Sequence, residues 1–332
     1  MPAAAAFALA LLAIIVASEL FTNGIEWLGH RLGLGHGATG SLLAALGTAL
    51  PESVVPVVAL IGGRPDSQSV AIGGILGGPF LLLTLGVGIT GVAVMLRRSR
   101  PILVVDAGQL RRDLTTYLLG TSVLAAGLIL PHAARVAGAL LLLGIYGRHV
   151  VLTLRNDAAH GELPEPLHLW RFARGTPPPA VIGLQVALGV GLLVVGAHLF
   201  VGALETASGS LHISPLVLAI LLVPVATELP ETLNSVLWVR SGDDTLAMGN
   251  VAGSTAFQAC IPGAVGLAFT EWRPGLAGIV DGAVTLVAAA WLMLLLRDGH
   301  ARGWRLVTAG LLWAAFVAVA LVLGDRLAPA AG

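Results

Sequence analysis

Apolar residues run along almost the whole chain in long stretches, separated by short polar or proline-containing segments. A stretch of about 20 apolar residues can cross the hydrocarbon core of a bilayer as an α-helix. The pattern therefore predicts an all-α polytopic membrane protein with about ten transmembrane helices. Their approximate limits are 4–28, 39–62, 68–96, 114–130, 132–154, 179–207, 213–239, 245–270, 274–296 and 303–325.

One polar segment divides this pattern into two halves. Residues 156–178 contain several charged side chains and prolines, which predicts a solvated cytoplasmic linker. The linker separates a first five-helix repeat, 1–155, from a second, 179–332. Because each repeat has an odd number of spans, the second enters the membrane from the opposite side. We therefore expect two inverted repeats, related by a pseudo-twofold axis in the membrane plane.

The arginines are distributed unevenly between the two sides that this arrangement defines. One side, with its helix ends, carries Arg31, Arg97, Arg98, Arg100, Arg111, Arg112, Arg155, Arg171, Arg174, Arg240, Arg297 and Arg302. The other side carries Arg64, Arg135, Arg273 and Arg326. Because cytoplasmic loops are enriched in basic residues, the first side is expected to be cytoplasmic. Both termini then lie outside, in what we expect to be a bacterial plasma membrane.

The composition narrows the possible functions. The chain is 56% hydrophobic and 11% charged, with a formal net charge of zero. Soluble domains contain about 25% charged residues, so an integral membrane protein in contact with lipid is expected. The lack of a basic excess argues against nucleic acid as a partner. Cys260 is the single cysteine, which excludes an intrachain disulfide and does not suggest a metal cluster.

Two six-residue motifs, one in each predicted repeat, carry the candidate chemistry. Residues 47–52 read Gly-Thr-Ala-Leu-Pro-Glu, and residues 226–231 read Ala-Thr-Glu-Leu-Pro-Glu. A carboxylate inside an apolar helix is a functional-site hypothesis by default, and the neighbouring proline breaks the helix and frees backbone carbonyls. Such a pair indicates the binding site of an inverted-repeat transporter. We therefore predict that Glu52 and Glu231 face each other near the midplane, on two discontinuous helices.

A glycine-rich segment follows each motif. Residues 71–79 read Ala-Ile-Gly-Gly-Ile-Leu-Gly-Gly-Pro, and residues 247–255 read Ala-Met-Gly-Asn-Val-Ala-Gly-Ser-Thr. Small residues at this spacing allow helices to approach closely. Polar residues on the second segment can serve either the ion site or helix packing. Glu228 can be a third ligand, a proton carrier or the partner of an arginine.

These motifs resemble the α-repeats of the calcium/cation antiporter superfamily, which includes sodium/calcium and proton/calcium exchangers. The family pattern is Gly-Thr-Ser-Leu-Pro-Glu, followed by a helix that opens with Gly-Asn-x-x-Gly-Ser. The second repeat matches it at Thr227, Pro230, Glu231, Gly249, Asn250, Gly253 and Ser254. The first repeat matches it at Gly47, Thr48, Leu50, Pro51, Glu52, Gly73 and Gly77. The resemblance covers both repeats, the ten-helix length and the central linker.

The resemblance implies a secondary active cation antiporter, which is not an enzyme and needs no cofactor. In the family, calcium is held chiefly by the motif glutamates and by backbone carbonyls of the motif threonines, which correspond to Glu52, Glu231, Thr48 and Thr227. Ca²⁺ accepts such oxygen ligands, although they also suit Mn²⁺, Mg²⁺ or a monovalent ion. The counter-ion is H⁺ or Na⁺. The ion-binding set is completed by Glu228, Asn250, Ser254 and Gln258.

Departures from the family pattern bear on the counter-ion. The family serine, asparagine and serine are replaced in the first repeat by Ala49, Gly74 and Gly78. A sodium site built from hydroxyl and amide oxygens needs such groups. Repulsion among Glu52, Glu228 and Glu231 in one cavity would favour proton uptake when the cation leaves. The sequence therefore predicts proton coupling over sodium coupling. The glutamine at position 258 also resembles the proton-coupled branch of the family more than the sodium-coupled branch.

Two other functions are compatible with the same features. A cation channel would use the same carboxylates but would not need alternating access. A membrane scaffold with a degenerate ion site would account for the missing polar groups of the first repeat. Intramembrane hydrolysis is not supported, because the chain has no His-Glu-x-x-His or Gly-x-Ser-x-Gly arrangement. The sequence leaves the oligomeric state open.

Further polar residues lie within or beside the apolar stretches. Glu26 and Glu205 lie toward helix ends, which predicts an interfacial position. Glu19 lies deeper and is a candidate for facing the cavity. His198 is expected to be a buried, hydrogen-bonded histidine rather than a proton relay.

Three aspartates complete the set of isolated acidic residues. Asp106 and Asp113 lie among arginines, which predicts solvated charges. Asp281 lies within an apolar stretch and has no matching residue in the first repeat. It can pair with an arginine or have a function of its own, and the sequence gives no physical account of it.

Overall fold

The computed structural model describes residues 3–32, 50–97, 101–156, 165–173 and 175–323, which are mostly helical. The helices are α1 (Ala3–Arg31), α2 (Leu50–Ile61), α3 (Ser67–Leu81), α4 (Val87–Leu96), α5 (Ala107–Ala126), α6 (His132–Asn156), α7 (Pro179–Leu211), α8 (Pro215–Ser241), α9 (Asp244–Phe269), α10 (Gly275–Leu295) and α11 (Gly303–Leu323). A π-helical turn, Leu82–Gly86, joins α3 to α4 in one continuous rod. The remaining elements are two strands, β1 (Ile102–Val104) and β2 (His300–Arg302), and a 3₁₀ turn, His168–Trp170.

Eight helical stretches in this part of the chain are long and apolar enough to cross a membrane. They are α1, the rod formed by α3 and α4, α6, α7, α8, α9, α10 and α11. Helix α2 is apolar but shorter, and α5 is not among the eight. The prediction of a helical polytopic membrane protein is therefore confirmed, although two short strands accompany the helices.

The predicted helix limits are close to those observed for α8 and α9, but the limit for α5 is wrong. The span predicted at 114–130 begins at Ala107 in the structure. Asp106, with an extended backbone, accepts hydrogen bonds from the backbone nitrogens of Gly108 at 2.7 Å and Gln109 at 3.0 Å. This side-chain cap satisfies free N–H groups of the first turn. The helix therefore starts about two turns before the apolar stretch.

The prediction for Asp106 and Asp113 is correct for the first residue and wrong for the second. Asp106 is exposed, whereas Asp113 is buried, with its Oδ1 atom 3.8 Å from Nε2 of His149 on α6. Asp113 shares a helix face with Leu110 and Tyr117, which are three and four residues away and also buried. Residues at this spacing face the same way, so Asp113 is turned inward with the apolar residues.

Helices α3 and α8 approach each other closely at the centre of the molecule. A Cβ atom on Gly73 would lie 2.6 Å from Cβ of Ala219 and 2.7 Å from the carbonyl oxygen of Leu216. A Cβ atom on Gly77 would overlap the carbonyl oxygen of Ile220. Glycine permits a backbone approach that a larger residue would prevent. Because α3 and α8 belong to different halves of the chain, this contact joins the two halves.

The second part of the rod packs against a different helix. A Cβ atom on Gly88 would lie 3.0 Å from Cα of Gly310, and one on Gly91 would lie 2.7 Å from the carbonyl oxygen of Gly303. Helix α4 therefore rests on α11, whereas α3 rests on α8. The main packing partner changes across the π-helical turn. In such a turn each backbone hydrogen bond spans one residue more than in an α-helix.

A buried ion pair joins the arginine-rich loops at one end of the molecule. The guanidinium of Arg97 donates to the two carboxylate oxygens of Asp244 at 2.6 and 3.1 Å. The backbone nitrogen of Val104 donates to the same carboxylate at 2.9 Å. Next to this pair, β1 and β2 are antiparallel, with Ile102 opposite Arg302. Three loops that the sequence places on one side of the membrane therefore lie together, although the strands and the ion pair were not predicted.

The described part of the linker is attached to α1 and α7 through its backbone. The carbonyl oxygen of Glu165 accepts hydrogen bonds from Asn23 Nδ2 at 3.2 Å and Trp27 Nε1 at 2.7 Å. The backbone nitrogen of Leu169 donates to Gln185 Oε1 at 2.9 Å. Asn23 and Gln185 are buried side chains in apolar helices. The linker therefore provides hydrogen-bond partners for both side chains, and Gln185 Nε2 also donates to Leu20 O and Asn23 Oδ1 of α1. The composition of the linker alone does not reveal these contacts.

Two predictions for isolated polar residues are wrong. Glu19 is exposed, with Oε1 3.1 Å from Nε2 of His168, and does not face the carboxylate cluster described below. His198 is exposed rather than buried, and its Nε2 atom lies 3.5 Å from the Arg64 guanidinium. That guanidinium also donates to Glu205 at 2.8 Å, near the end of α7. Glu19 and His198 therefore lie on exposed helix faces.

The contact at Gly77 predicts a large difference between two glycine substitutions. Gly77→Ala should destabilise the purified protein by about 1–3 kcal/mol, because the new Cβ has backbone on the other side and cannot be accommodated. Gly191→Ala is the matched control, since a Cβ on Gly191 of α7 would have no described atom within 4 Å. Alanine there should be neutral or favourable by about 0.5–1 kcal/mol. Thermal unfolding in detergent measures both, and equal melting temperatures would contradict the close approach of α3 and α8.

Candidate ion-binding site

Three glutamates meet in the interior of the protein. Glu52, Glu228 and Glu231 each contribute a carboxylate oxygen to a group whose members lie within 4.8 Å of one another. The three residues are 5%, 0% and 2% exposed, respectively. Like charges this close in an apolar interior are unfavourable unless a cation or protons compensate them. The arrangement therefore requires an occupant.

Two helices supply these carboxylates. Glu52 lies in the first turn of α2, as the structure describes that helix, and Glu228 and Glu231 lie in the middle of α8. Residues three apart lie on the same face of a helix, so both α8 carboxylates point the same way. The structure therefore places the carboxylates of Glu52 and Glu231 close together, as the paired motifs predict. The carboxylate of Glu228 lies beside them because this residue is three positions before Glu231 on the same helix.

Helix α8 is continuous through its motif, so the predicted discontinuity is wrong for this helix. Pro224 and Pro230 both lie inside the helix Pro215–Ser241. A proline still removes one backbone hydrogen bond, because it has no N–H group. The carbonyl of Ala226, four residues before Pro230, therefore lacks its usual helical donor. The helical geometry therefore survives both prolines.

Glu228 is held by polar contacts from two helices. Gln258 Nε2, on α9, donates to Glu228 Oε1 at 2.8 Å. The hydroxyl of Thr227 lies 3.2 Å from the same oxygen and 3.4 Å from the carbonyl of Val223. The space for Gln258 exists because position 78 is glycine: a Cβ on Gly78 would lie 2.8 Å from Gln258 Oε1. Gly78, which stands where the family pattern has serine, therefore leaves the room that Gln258 of the second half of the chain occupies.

Asn250 contacts the backbone of the site rather than its carboxylates. Its Nδ2 atom donates to the carbonyl of Glu231 at 3.1 Å and to Ser235 Oγ at 3.3 Å. The hydroxyl of Ser235 donates to the same carbonyl at 2.9 Å. Ser235 was not predicted, although its position four residues after Glu231 could have indicated it. Ser254 is half-buried on α9 and makes no hydrogen bond to the carboxylates among the described residues.

Several oxygen atoms of the cluster are buried without a hydrogen-bond partner in the described part of the chain. They are both carboxylate oxygens of Glu52, Oε2 of Glu228, Oε2 of Glu231 and Oε1 of Gln258. When the carboxyl groups are ionised, all of these atoms are acceptors and cannot satisfy one another. Oxygen acceptors without donors are the ligands that hard cations such as Ca²⁺ prefer. Thr48, whose carbonyl the resemblance implies as a ligand, lies outside the described residues.

The fold and the site together define a helical membrane protein with a buried carboxylate cluster suited to cations. Comparison with known proteins gives the family. The sequence profile described as "sodium/calcium exchanger protein" matches residues 2–155 and 182–323. The chain belongs to this family, and the antiporter superfamily predicted from the two motifs is confirmed.

Relatives and solved structures agree with this assignment. CaxA of Alkalimonas amylolytica, provisionally named an antiporter, is 26% identical over 318 residues, which cover 92% of this chain and 94% of that protein. Inner membrane protein YrbG of Escherichia coli K12 is 26% identical over 257 residues, covering 76% and 75%. The H⁺/Ca²⁺ exchanger CAX has a similar structure, with a TM-score of 0.77 and 15% identity, covering 98% of this chain and 87% of CAX. The sodium–calcium exchanger NCX_Mj gives a TM-score of 0.62 and 21% identity, covering 95% and 98%.

The unpaired carboxylates predict two opposite effects of removing a charge. Glu52→Gln and Glu231→Gln should leave the cation-free protein at least as stable as the wild type, because repulsion within the cluster falls. Both variants should lose the rise in melting temperature that Ca²⁺ gives the wild type. That rise corresponds to about 2.7 kcal/mol when free Ca²⁺ is 100 times its dissociation constant.

Glu19→Gln is the matched control for these variants, since it is the same substitution on an exposed helix face. It should retain the full response to Ca²⁺. Thermal unfolding with and without Ca²⁺, at fixed pH and without Na⁺, measures the effect. A wild-type response in both Glu52→Gln and Glu231→Gln would exclude these residues as principal ligands.

Proposed function

We propose that this protein is a secondary active antiporter that exchanges Ca²⁺ for H⁺. Membership of the exchanger family establishes the general class. The observation that carries the proposal is the cluster of Glu52, Glu228 and Glu231, with oxygen acceptors that have no donor. Such a cluster can be neutralised by one divalent cation or by protons. The two ions then compete for the same atoms, which is the requirement for exchange.

The proposed ligands follow from the contacts in the cluster. Glu52 and Glu231 are the principal ligands of Ca²⁺, since their free oxygens face each other from α2 and α8. Glu228 takes part as a third carboxylate, oriented by Gln258 and Thr227. Asn250 acts indirectly, by fixing the backbone of Glu231. Carbonyl oxygens near the motif threonines complete the six to eight oxygen ligands that Ca²⁺ takes.

Exchange is enforced by the electrostatics of the empty site. Without an occupant, the carboxylates would keep their negative charges in a region of low dielectric, where their repulsion is strongest. The conformations that open the site to either side interconvert readily when Ca²⁺ or protons neutralise the cluster. Ca²⁺ therefore leaves only when protons arrive. No covalent step is involved, so the protein acts as a transporter and not as an enzyme, and it needs no cofactor.

The choice of H⁺ over Na⁺ rests on the first repeat. A sodium site needs neutral oxygen ligands, and the replacements at Ala49, Gly74 and Gly78 remove them. At position 78 the vacant space is occupied by Gln258, which donates to Glu228 instead of leaving a hydroxyl for a sodium ion. The similarity to CAX and NCX_Mj concerns the fold and does not decide between their counter-ions.

The proposed architecture is ten transmembrane helices in two inverted repeats, 1–155 and 179–332, joined by the linker 156–178. It is supported by the paired motifs and by the position of Glu52 and Glu231 on equivalent segments, 179 residues apart. The contact of α3 with α8 brings the two repeats together at the site. The excess of arginine at one end supports a cytoplasmic location for that end and an external location for both termini in a bacterial plasma membrane.

Flux measurements in proteoliposomes test the counter-ion. Vesicles loaded with Ca²⁺ should release it when the outside is acidified and Na⁺ is absent. They should not release it when a Na⁺ gradient is applied with the pH clamped equal on both sides. Glu231→Gln vesicles, which lack one ligand charge, should respond to neither gradient.

Each alternative gives a different result in the same assay. Release driven by Na⁺, with no response to the pH gradient, would contradict proton coupling but not antiport. Ca²⁺ release that needs neither counter-ion would contradict antiport and indicate a channel. A folded protein without Ca²⁺ flux under any gradient would indicate a scaffold with a degenerate site.

A further inference from the structure

A fourth buried carboxylate lies apart from the glutamate cluster. Asp281, in the apolar helix α10, is 1% exposed. Neither of its carboxylate oxygens has a hydrogen-bond partner in the part of the chain that the structure describes. An unpaired carboxylate in the interior of a membrane protein is unfavourable, and such residues usually have a function.

Asp281 lines a small cavity that also contains hydroxyl groups. The cavity measures about 20 Å³ and is lined by Tyr117 and Thr121 of α5 and Thr285 of α10, together with apolar residues. This volume is sufficient for one water molecule or one small cation. One carboxylate side chain and three side chains that carry hydroxyl groups therefore line a space of the size of a single ion.

The charges around the cavity select a monovalent occupant. Besides Asp281, Tyr117 is the only titratable side chain among the residues that line the cavity, and none of them is basic. The residues contributed by α3 and α9 are apolar, and α8, α11 and the π-helical turn contribute none. One carboxylate neutralises one positive charge. A divalent cation would leave a net charge in an apolar interior, which is unfavourable.

The cavity lies next to the glutamate cluster but is separate from it. Pro79 and Ala259 line the cavity. Their preceding neighbours, Gly78 and Gln258, contact each other beside Glu228. Consecutive residues of a helix point about 100° apart. Helices α3 and α9 therefore present one face to the glutamates and a neighbouring face to Asp281.

We propose that Asp281 and the hydroxyls of Tyr117, Thr121 and Thr285 form a second buried site, which binds one monovalent cation, H⁺ or Na⁺. Occupancy of this site accompanies movement of α3 and α9, because both helices border both sites. The proposal that this site binds a cation depends only on the geometry of the cavity. Its coupling to transport rests on the exchange function proposed for Glu52, Glu228 and Glu231.

The test measures binding in a protein whose glutamate cluster has been weakened. Glu231→Gln is compared with Glu231→Gln/Asp281→Asn by thermal unfolding in detergent without Ca²⁺. One series varies Na⁺ at fixed pH, and the other varies pH without Na⁺. The single variant should gain more stability than the double variant with one of the two cations. Because Glu52 and Glu228 are present in both variants, only this difference is assigned to Asp281. A difference with Na⁺ identifies a sodium site, and a difference on acidification identifies a proton site.

A second pair of variants keeps Asp281, so that the proposal can be tested even if Asp281→Asn does not fold. In the Glu231→Gln background, Thr285→Val should weaken the response, because it removes a cavity hydroxyl. Thr90→Val is the control, since Thr90 is also buried and also donates to the carbonyl four residues earlier. Equal responses to both cations with and without Asp281 would overturn the proposal. Because no transport is measured, this result is independent of whether the flux assay supports antiport.

Discussion

The repulsion among three buried carboxylates is the constraint on which the centre of this protein depends. Glu52, Glu228 and Glu231 lie within 4.8 Å of one another in an apolar interior, so their charges must be compensated. The described surroundings do not compensate them with a basic side chain. They supply the side-chain amide of Gln258 and the hydroxyl of Thr227, both as donors to Glu228. The compensating charge is therefore left to an ion that can enter and leave.

Helix packing is what makes this arrangement possible. Gly73 and Gly77 let α3 approach α8 closely, and Gly78, on the same helix, leaves the space in which Gln258 reaches Glu228. The same run of small residues thus serves both packing and the site. At the arginine-rich end, the buried pair of Arg97 and Asp244 joins loops from both halves of the chain. Bidentate contacts of this kind are strong and geometrically specific, so this end is held by more than helix packing.

Much of the fold and part of the site could be predicted from the sequence. Apolar length located most helices, and the repeated Leu-Pro-Glu segments identified the pair Glu52 and Glu231, because both signals are local. The partners of buried polar groups could not be predicted in this way, since they depend on contacts between distant segments. Arg97 with Asp244 and Gln258 with Glu228 are examples. Asp113 was misplaced because charged neighbours suggested solvent, whereas the periodicity of its helix turned it inward.

The π-helical turn Leu82–Gly86 sets the rotational phase of α4 relative to α3. One extra residue in a turn rotates everything beyond it by about 100° compared with an uninterrupted α-helix. Gly88 and Gly91 owe their orientation toward α11 to this rotation, while Gly77 keeps its orientation toward α8. A rod that lost one residue here would be more regular, yet it would present bulkier side chains to α11. A local irregularity of the helix thus lets a single rod fit two partners.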